Sequence, residues 1–406
     1  MKIFLTLLFI VGLVSSCDDS LLIVGGLDSS GPLSSLSLLT PGGWCQNINL
    51  PALPEPVVSP AVHLFTPDNS VRNIIIVCGF VSQPCMWSES GAGSWHSLPI
   101  QELHEGTKDI DFTSSQVFKI VSLDSQSLVL VSTKDGDNYA GHTHTNRLDW
   151  FPNPWLPAED QTAEFTLDGT GAHGHFTKNL TGSCLARLGQ ELLLTGGRTS
   201  KMPMDFYNQQ KHSDASVGRM SPEGGVHCDD ECGPQWESHV VPDLTQEREE
   251  HSCLNTRVGG EEVVMVGGGY KYDYIWGKSG WNYYVERETY ETLKSIELYD
   301  GAGWSTGGEF KNARAEFGLA ELCGDLLAMG GRQYDGTYQW ERVYNGPPDC
   351  GDPCWEETVT DTTKETFLDS VEVATLGAWL LHDLKLPQKM ANFGVAKAPA
   401  SMCVDG

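Results

Sequence analysis

The 406-residue sequence predicts an all-β protein: six four-stranded antiparallel units set radially about one axis. Three observations predict it. A short apolar run ending in glycine recurs along the chain. A second run of alternating apolar residues enters a glycine turn and ends in tryptophan. The N-terminal end lacks one strand of this pattern, and the C-terminal end supplies it.

The apolar runs are Leu21–Gly26 (LLIVGG), Leu192–Gly197 (LLLTGG), Val263–Gly268 (VVMVGG) and Leu326–Gly331 (LLAMGG). Ile74–Gly79 and Leu128–Thr133 keep the apolar half and lose one or both glycines. Runs this short, bounded by glycine, suit strands covered on both faces, and a period of several tens of residues points to a repeat architecture. The alternating element appears at Leu36–Trp44, Ile296–Trp304 and Val371–Trp379, with weaker copies ending at Trp95, Trp155 and Trp236. Alternation followed by a glycine turn reads as a strand entering a hairpin. After each of the later tryptophans lies one more strand, seen at Arg248–Leu254, Arg314–Ala320 and Met390–Ala396. Four antiparallel strands per unit, repeated radially, make a β-propeller blade.

These elements resemble the kelch repeat over nearly the whole chain. The second and third units depart from its glycine pair, and the tyrosine common in kelch blades has no consistent counterpart. The resemblance implies a six-bladed kelch-type propeller spanning 17–406. The strand SLLIVGG at the head has no inner strand before it, whereas ANFGVAKAPASMCVDG at the tail is an inner strand with nothing after it. The tail is therefore expected to complete the first blade and close the ring, and Cys17 is expected to pair with Cys403. Closure matters because an open array leaves an unpaired edge and an uncovered apolar face.

Residues 1–16 read as a secretory signal peptide: Lys2, an apolar segment, then small residues before Cys17. The same stretch also resembles a lipoprotein box, which would put a lipid on Cys17. No later segment is apolar for long enough to span a bilayer. Twelve cysteines in a chain with such a leader are read as disulfides. Cys228 with Cys232, and Cys350 with Cys354, are the short-range candidates, preferred over a zinc site. Asn179-Leu180-Thr181 is a glycosylation sequon. A formal charge of −28 argues against nucleic acid or an anionic membrane as partner. It favours cationic partners or calcium, although no calcium-binding motif is present, and it also keeps an extracellular protein soluble.

Strand alternation puts three long insertions, about 198–226, 269–293 and 332–369, on the same face as the blade-entry segments. In kelch propellers a basic residue at the blade entry commonly lines the cavity mouth, which marks Arg248 and Arg314, or else these arginines pair with Glu247, Glu249, Glu250 or Glu316. The insertions are read as aromatic loops: Tyr272, Tyr274, Trp276 and Trp281 in one, Trp340 in the next. Aromatic area with a polar handle suits a protein hot spot or a sugar face. His142/His144 and His173/His175 have H-x-H spacing but no further metal ligands, and no phosphate loop, nucleophile elbow or zincin motif occurs. The expected function is an extracellular module recognising a protein or glycan, without a cofactor. The alternatives are a carbohydrate-active enzyme of the kelch-propeller type, oxidase-like or epimerase-like, and a structural matrix component.

Overall fold

The computed structural model describes residues 17–404, apart from segments 68–72, 81, 83–84, 99–115, 123–126, 135–142, 153–162, 168–181, 190, 198–216, 221–235, 239–240, 280–281, 345–354 and 376–377. The leader, Asn179, Trp155, Trp281, His142, His173, His175, Cys228, Cys232, Cys350 and Cys354 lie outside the described residues.

Six four-stranded antiparallel sheets occur among the described residues. In each, an inner strand pairs with the apolar strand, that strand pairs with the alternating strand, and the fourth strand lies outermost. The sixth sheet shows the pattern in full: Gly318–Leu322, Asp325–Met329, Ser370–Thr375 and Ala378–Lys385. The apolar strands are buried on both faces. Leu21, Leu22, Val24, Ile74–Val77, Leu192–Leu194, Val264, Val266, Ala328 and Met329 are all fully enclosed. This explains why their sequence shows a continuous apolar run in place of alternation.

The first sheet is assembled from both ends of the chain. Gly394–Pro399 pairs antiparallel with Asp19–Val24, from Asp19 opposite Pro399 to Val24 opposite Gly394. The inner strands touch in a continuous order: Ala61–Phe65 against Gln116–Ser122, then Cys184–Leu188, Ser252–Val258, Gly318–Leu322 and Gly394–Pro399, which returns to Ala61–Phe65. This arrangement is consistent with a β-propeller.

The glycine pairs are required by local geometry. Gly268 has φ +63, and a Cβ on it would sit 2.3 Å from the Arg314 carbonyl oxygen, so the Gly strand can approach the next sheet's entry only without a side chain.

Two expectations need correction. Cys17 is bonded to Cys323 and Cys403 to Cys45, so Cys17 and Cys403 do not pair with each other. Past Pro399 the tail turns through a short 3-10 helix, Ala400–Met402, and bridges Ile48 at Cys403, which carries it toward the outer strand of the first sheet. Cys17 instead reaches the inner hairpin of the sixth sheet. Two further bonds, Cys78–Cys85 and Cys184–Cys253, join adjacent strands of the second sheet and the inner strands of the fourth and fifth. These four bonds use none of the short-range candidates: the expected pairings of Cys228 with Cys232 and of Cys350 with Cys354 fall in segments 221–235 and 345–354, outside the described residues. Second, the insertions after the fifth and sixth glycine pairs are strands. Tyr270–Ser279, Asn282–Thr292, Arg332–Tyr344 and Trp355–Asp361 form one antiparallel sheet, with Lys364–Phe367 paired to the base of the third strand. Arg287–Tyr290 pairs with Gly336–Gln339 and so joins the two insertions into one platform. The third insertion, 198–226, is described only at Val217–Met220, a strand of the fourth sheet.

Candidate functional site

Four entry segments can be superposed by their hydrogen bonds. The second residue of each glycine pair donates its N–H to the carbonyl of Val57, Arg248, Arg314 or Met390, one residue per entry. The two entry arginines are fully buried. Arg248 donates to the Gly268 carbonyl at 2.7 Å and to Glu297 at 2.8 Å, and Arg314 donates to the Gly330 carbonyl at 2.9 Å and to Glu372 at 2.6 Å. Each glutamate also accepts backbone N–H groups of the preceding connection, Thr245 and Gln246 for Glu297, Lys311 and Asn312 for Glu372. The arginines expected at a cavity mouth are thus enclosed between sheets, and their partners are glutamates on the third strand. Ser37 in the first sheet and Trp87 in the second stand where Glu297 and Glu372 stand. The corresponding entry residues are Met390 and Val57, so in these four sheets arginine and glutamate occur together or not at all.

Two residues after each entry position the backbone is left-handed: Ser59 at φ 51, Glu250 at 52, Glu316 at 54 and Asn392 at 52. Non-glycine residues rarely adopt this conformation, and a row of them implies a shared constraint. The constraint is a belt of backbone hydrogen bonds. Ser59 N–H donates to Asn392, Asn392 to Glu316, Glu316 to Glu250, and Glu250 to Gly182, each within 2.7–2.8 Å. The belt runs from one sheet entry to the next, at the end of the inner strands from which the platform rises.

The belt brings several titratable groups together with Tyr270 and Arg332, the residues that follow two of the glycine pairs. Tyr270 bridges Glu249, and Arg332 bridges Ala315. Arg332 donates to Glu316 on the belt and to Glu365 on the platform's short strand. Tyr270, Tyr334 and Tyr290 stack edge-on in series, with centroids 6.3 and 4.7 Å apart, and seat the platform on the belt. His251 meets the Thr195 hydroxyl at 2.9 Å.

Four buried polar atoms at this end have no hydrogen-bond partner of ordinary geometry: Glu316 Oε2, the Tyr270 hydroxyl, His251 Nδ1 and Arg332 Nε. Buried polar groups are nearly always paired, and here one guanidinium serves several of them, since Arg332 also lies over the Tyr270 ring at 6.0 Å. Burial, then the charge of Glu250, raises the Glu316 carboxyl to about 7 against the opposing pull of Arg332 and a hydrogen bond from the Asn392 side chain. Burial and Glu316 raise the Tyr270 phenol, which stays protonated. Burial, then Arg248 and Lys119, holds His251 well below its ordinary value, so its ring is neutral. Across the pair, burial pulls Arg332 down, but Glu316, Tyr270 and Glu365 together raise it, and it stays charged.

Of the aromatic residues singled out by sequence, Tyr272, Tyr274 and Trp276 lie on the platform's first strand, opposite Tyr290, Glu288 and Val285, while Trp340 lies on the third strand opposite Val359. They stand on the same insertion strands as Tyr270 and Arg332. Sequence reasoning missed Arg332 and His251 and considered Glu250 and Glu316 only as partners for an arginine. A shared signal was present in the aligned tetrapeptides Arg248–His251, Arg314–Phe317 and Met390–Phe393, whose third position is the left-handed residue. Away from the axis, a concavity of about 660 Å³ opens on the rim beside Ser37, Trp44 and Lys385, where the smaller serine replaces glutamate.

No family model matches the chain, and no curated protein matches it. Among solved structures the chain is similar to one described as "Structure of YjhT", with 11% identity, a TM-score of 0.48, and coverage of 84% of this chain and 88% of that one.

Proposed function

We propose that the chain is a six-bladed, kelch-type β-propeller, closed by its C-terminal strand, that works outside the cell as a binding module. It recognises a protein or glycan through the face formed by the belt and the platform. The ring reading is supported by six four-stranded sheets, by inner strands that touch in cyclic order, and by the head-to-tail first sheet. Four disulfides suit an oxidising compartment. The observation that carries the recognition reading is the group of four buried polar atoms without an ordinary hydrogen bond on Glu316, Tyr270, His251 and Arg332. A bound ligand would satisfy them, and each unmade bond costs about 1–3 kcal/mol while it stays unmade.

The test is a glycan array and a panel of extracellular proteins probed with wild type, Tyr270→Phe and Glu316→Gln. Retained melting temperature with lost binding supports the reading. Unchanged binding by both variants, or a wild type that binds nothing on either panel, overturns it. A carbohydrate-active enzyme at the same face is the second reading, favoured by one feature: a carboxyl raised to about 7 is suited to general acid–base work near neutral pH. Turnover of a sugar lost in Glu316→Gln, with binding retained, would select it.

A further inference from the structure

We infer that the rim concavity beside Ser37 takes an extended peptide, which adds antiparallel to the open edge of the first sheet and extends its short outer strand. The site lies on the rim, away from the belt and the platform, and stands independently of the recognition face proposed above.

The first sheet stops short at its outer edge. In the fifth sheet the outer strand follows the whole third strand, with Glu309, Gly308 and Thr306 opposite Ser295, Ile296 and Glu297. In the first sheet the two-residue strand Gly43–Trp44 reaches only Leu39 and Thr40. Leu36 and Ser37 pair inward with Val24 and Ile23, and among the described residues no strand lies opposite them on the outer side. The Ser35 carbonyl accepts inward from Gly25 N–H, whereas the Leu38 carbonyl accepts outward from Cys45 N–H. Backbone direction alternates along a strand, so the N–H and C=O of Leu36 face outward with those of Leu38, into the concavity that Leu36 and Ser37 line.

The chain beyond Trp44 is held away from this edge. Cys45 is bonded to Cys403, and Ile48 bridges Cys403. Asn49 N–H donates to the Met402 carbonyl at 2.8 Å, and Val404 N–H donates to the Asn47 carbonyl at 3.0 Å. The segment that would continue the outer strand is therefore spent on the tail. On the other side, Trp44 Nε1 donates to the Lys385 carbonyl at 2.9 Å and ties the sixth sheet's outer strand to the first. The edge thus lies recessed between two fixed walls. A recess of this kind shields an open strand from indiscriminate pairing and gives an added strand pockets for alternate side chains.

Those pockets name the occupant. A residue opposite Leu36 shares its face with Leu36, beside Ile48 and Leu50, which are half-buried against the core between the first two sheets. That position suits an apolar side chain. Residues opposite Ser35 and Ser37 share the serine face, toward Lys385 and Pro387. Lys385 is paired with Asp369 at 3.7 Å, so this face suits uncharged polar side chains. The ligand is a short β-prone stretch that alternates polar, apolar, polar, and its apolar residue exchanges both backbone hydrogen bonds with Leu36.

The probe is the peptide acetyl-Ser-Thr-Val-Thr-Ser-amide, and the control is the same peptide N-methylated at valine, which keeps every side chain and loses the one N–H that Leu36 would accept. The full chain, labelled with 15N-leucine, is titrated with each, and the Leu36 amide is assigned by its loss in Leu36→Val. Binding supports the proposal when the probe shifts the Leu36 resonance and slows its hydrogen exchange about tenfold at about nine times the dissociation constant, while the control does neither. Leu36→Pro removes the outward N–H, leaves the inner pairing in place and abolishes probe binding. The N-methylated control decides the matter however that variant folds. Equal binding of probe and control, no response of Leu36 to the probe, or a Leu36 amide already protected in the free protein overturns the strand assignment.

Discussion

Replacing the Arg314–Glu372 pair by the residues the first sheet uses at the same positions tests whether this pair is one coupled unit. The Glu372 side chain is fully buried, and it accepts from Arg314 at 2.6 Å, Lys311 N–H at 2.7 Å and Asn312 N–H at 2.8 Å. Glu372→Ser alone strands a guanidinium that is 0% exposed, and Arg314→Met alone strands the carboxylate. Each single change is expected to cost about 3–5 kcal/mol, since an uncompensated charge is left in the interior. The double variant, with both charges gone, reproduces the combination of Met390 and Ser37. It leaves two N–H groups short of an acceptor, about 1–3 kcal/mol each, offset by the desolvation of two buried charges that is no longer needed, about 1–4 kcal/mol, so it is expected within about 2 kcal/mol of wild type. The first sheet has already removed one of these donors, because Pro387 stands where Lys311 stands in the sixth. Urea unfolding followed by tryptophan fluorescence reads the midpoints, compared at constant slope. The expected coupling between the two changes exceeds about 4 kcal/mol in the rescuing direction. A double variant as unstable as the sum of the singles would refute the coupled-unit reasoning.

Three further outcomes follow from the structure. Glu316→Gln should be more stable than wild type at pH 8 and flatten the pH profile. The folded carboxyl is raised from 4.5 to about 7, so its stabilising share is complete below pH 4.5 and is lost as pH rises toward 7, by about 3 kcal/mol in all. Thermal melts at pH 5 and pH 8 check this, and a wild-type melting temperature with no such fall would count against it. Non-reducing peptide mapping should recover Cys17 with Cys323 and Cys45 with Cys403, and opening Cys17–Cys323 by paired serine substitutions should cost about 2–5 kcal/mol. Recovery of a Cys17–Cys403 peptide would contradict the chain-end geometry. Gly268→Ala should lower stability far more than Gly259→Ala. Both glycines have φ +63, but the added Cβ meets the Arg314 carbonyl oxygen at 2.3 Å in the first case and open space in the second. Equal melting temperatures for the two would show that the close approach does not matter.

The strand order within each sheet was legible because burial writes itself into sequence. An apolar strand covered on both faces must be a continuous run, and a φ near +60 beside another sheet's carbonyl admits only glycine. The chain-end strand was legible because a missing inner strand at the head has one matching surplus at the tail. The disulfide pairing was not, since it depends on where the tail turns after Pro399, and no pattern around Ala400–Met402 announces that turn. The platform carried its signal openly: YKYDYIW alternates with period two, yet its aromatic content drew a recognition reading in place of a strand reading. The belt was the least legible part. Its members, Ser59, Glu250, Glu316 and Asn392, share a backbone conformation and no side-chain chemistry. The partners that give Glu316 its character, Arg332 and Tyr270, lie 16 and 46 residues away in sequence, brought close only by the glycine pairs of two different sheets. The entry arginines misled for the same reason, as their glutamates sit 49 and 58 residues downstream.

The measurement that reaches the centre of the account is the titration of the Glu316 carboxyl carbon, followed by NMR on glutamate-labelled protein and assigned with Glu316→Gln. The account requires a midpoint of about 7 in the protein. A midpoint near 4.5 would contradict it, because a solvated carboxylate at that position is not the buried group facing Glu250 from which the proposed recognition face is argued.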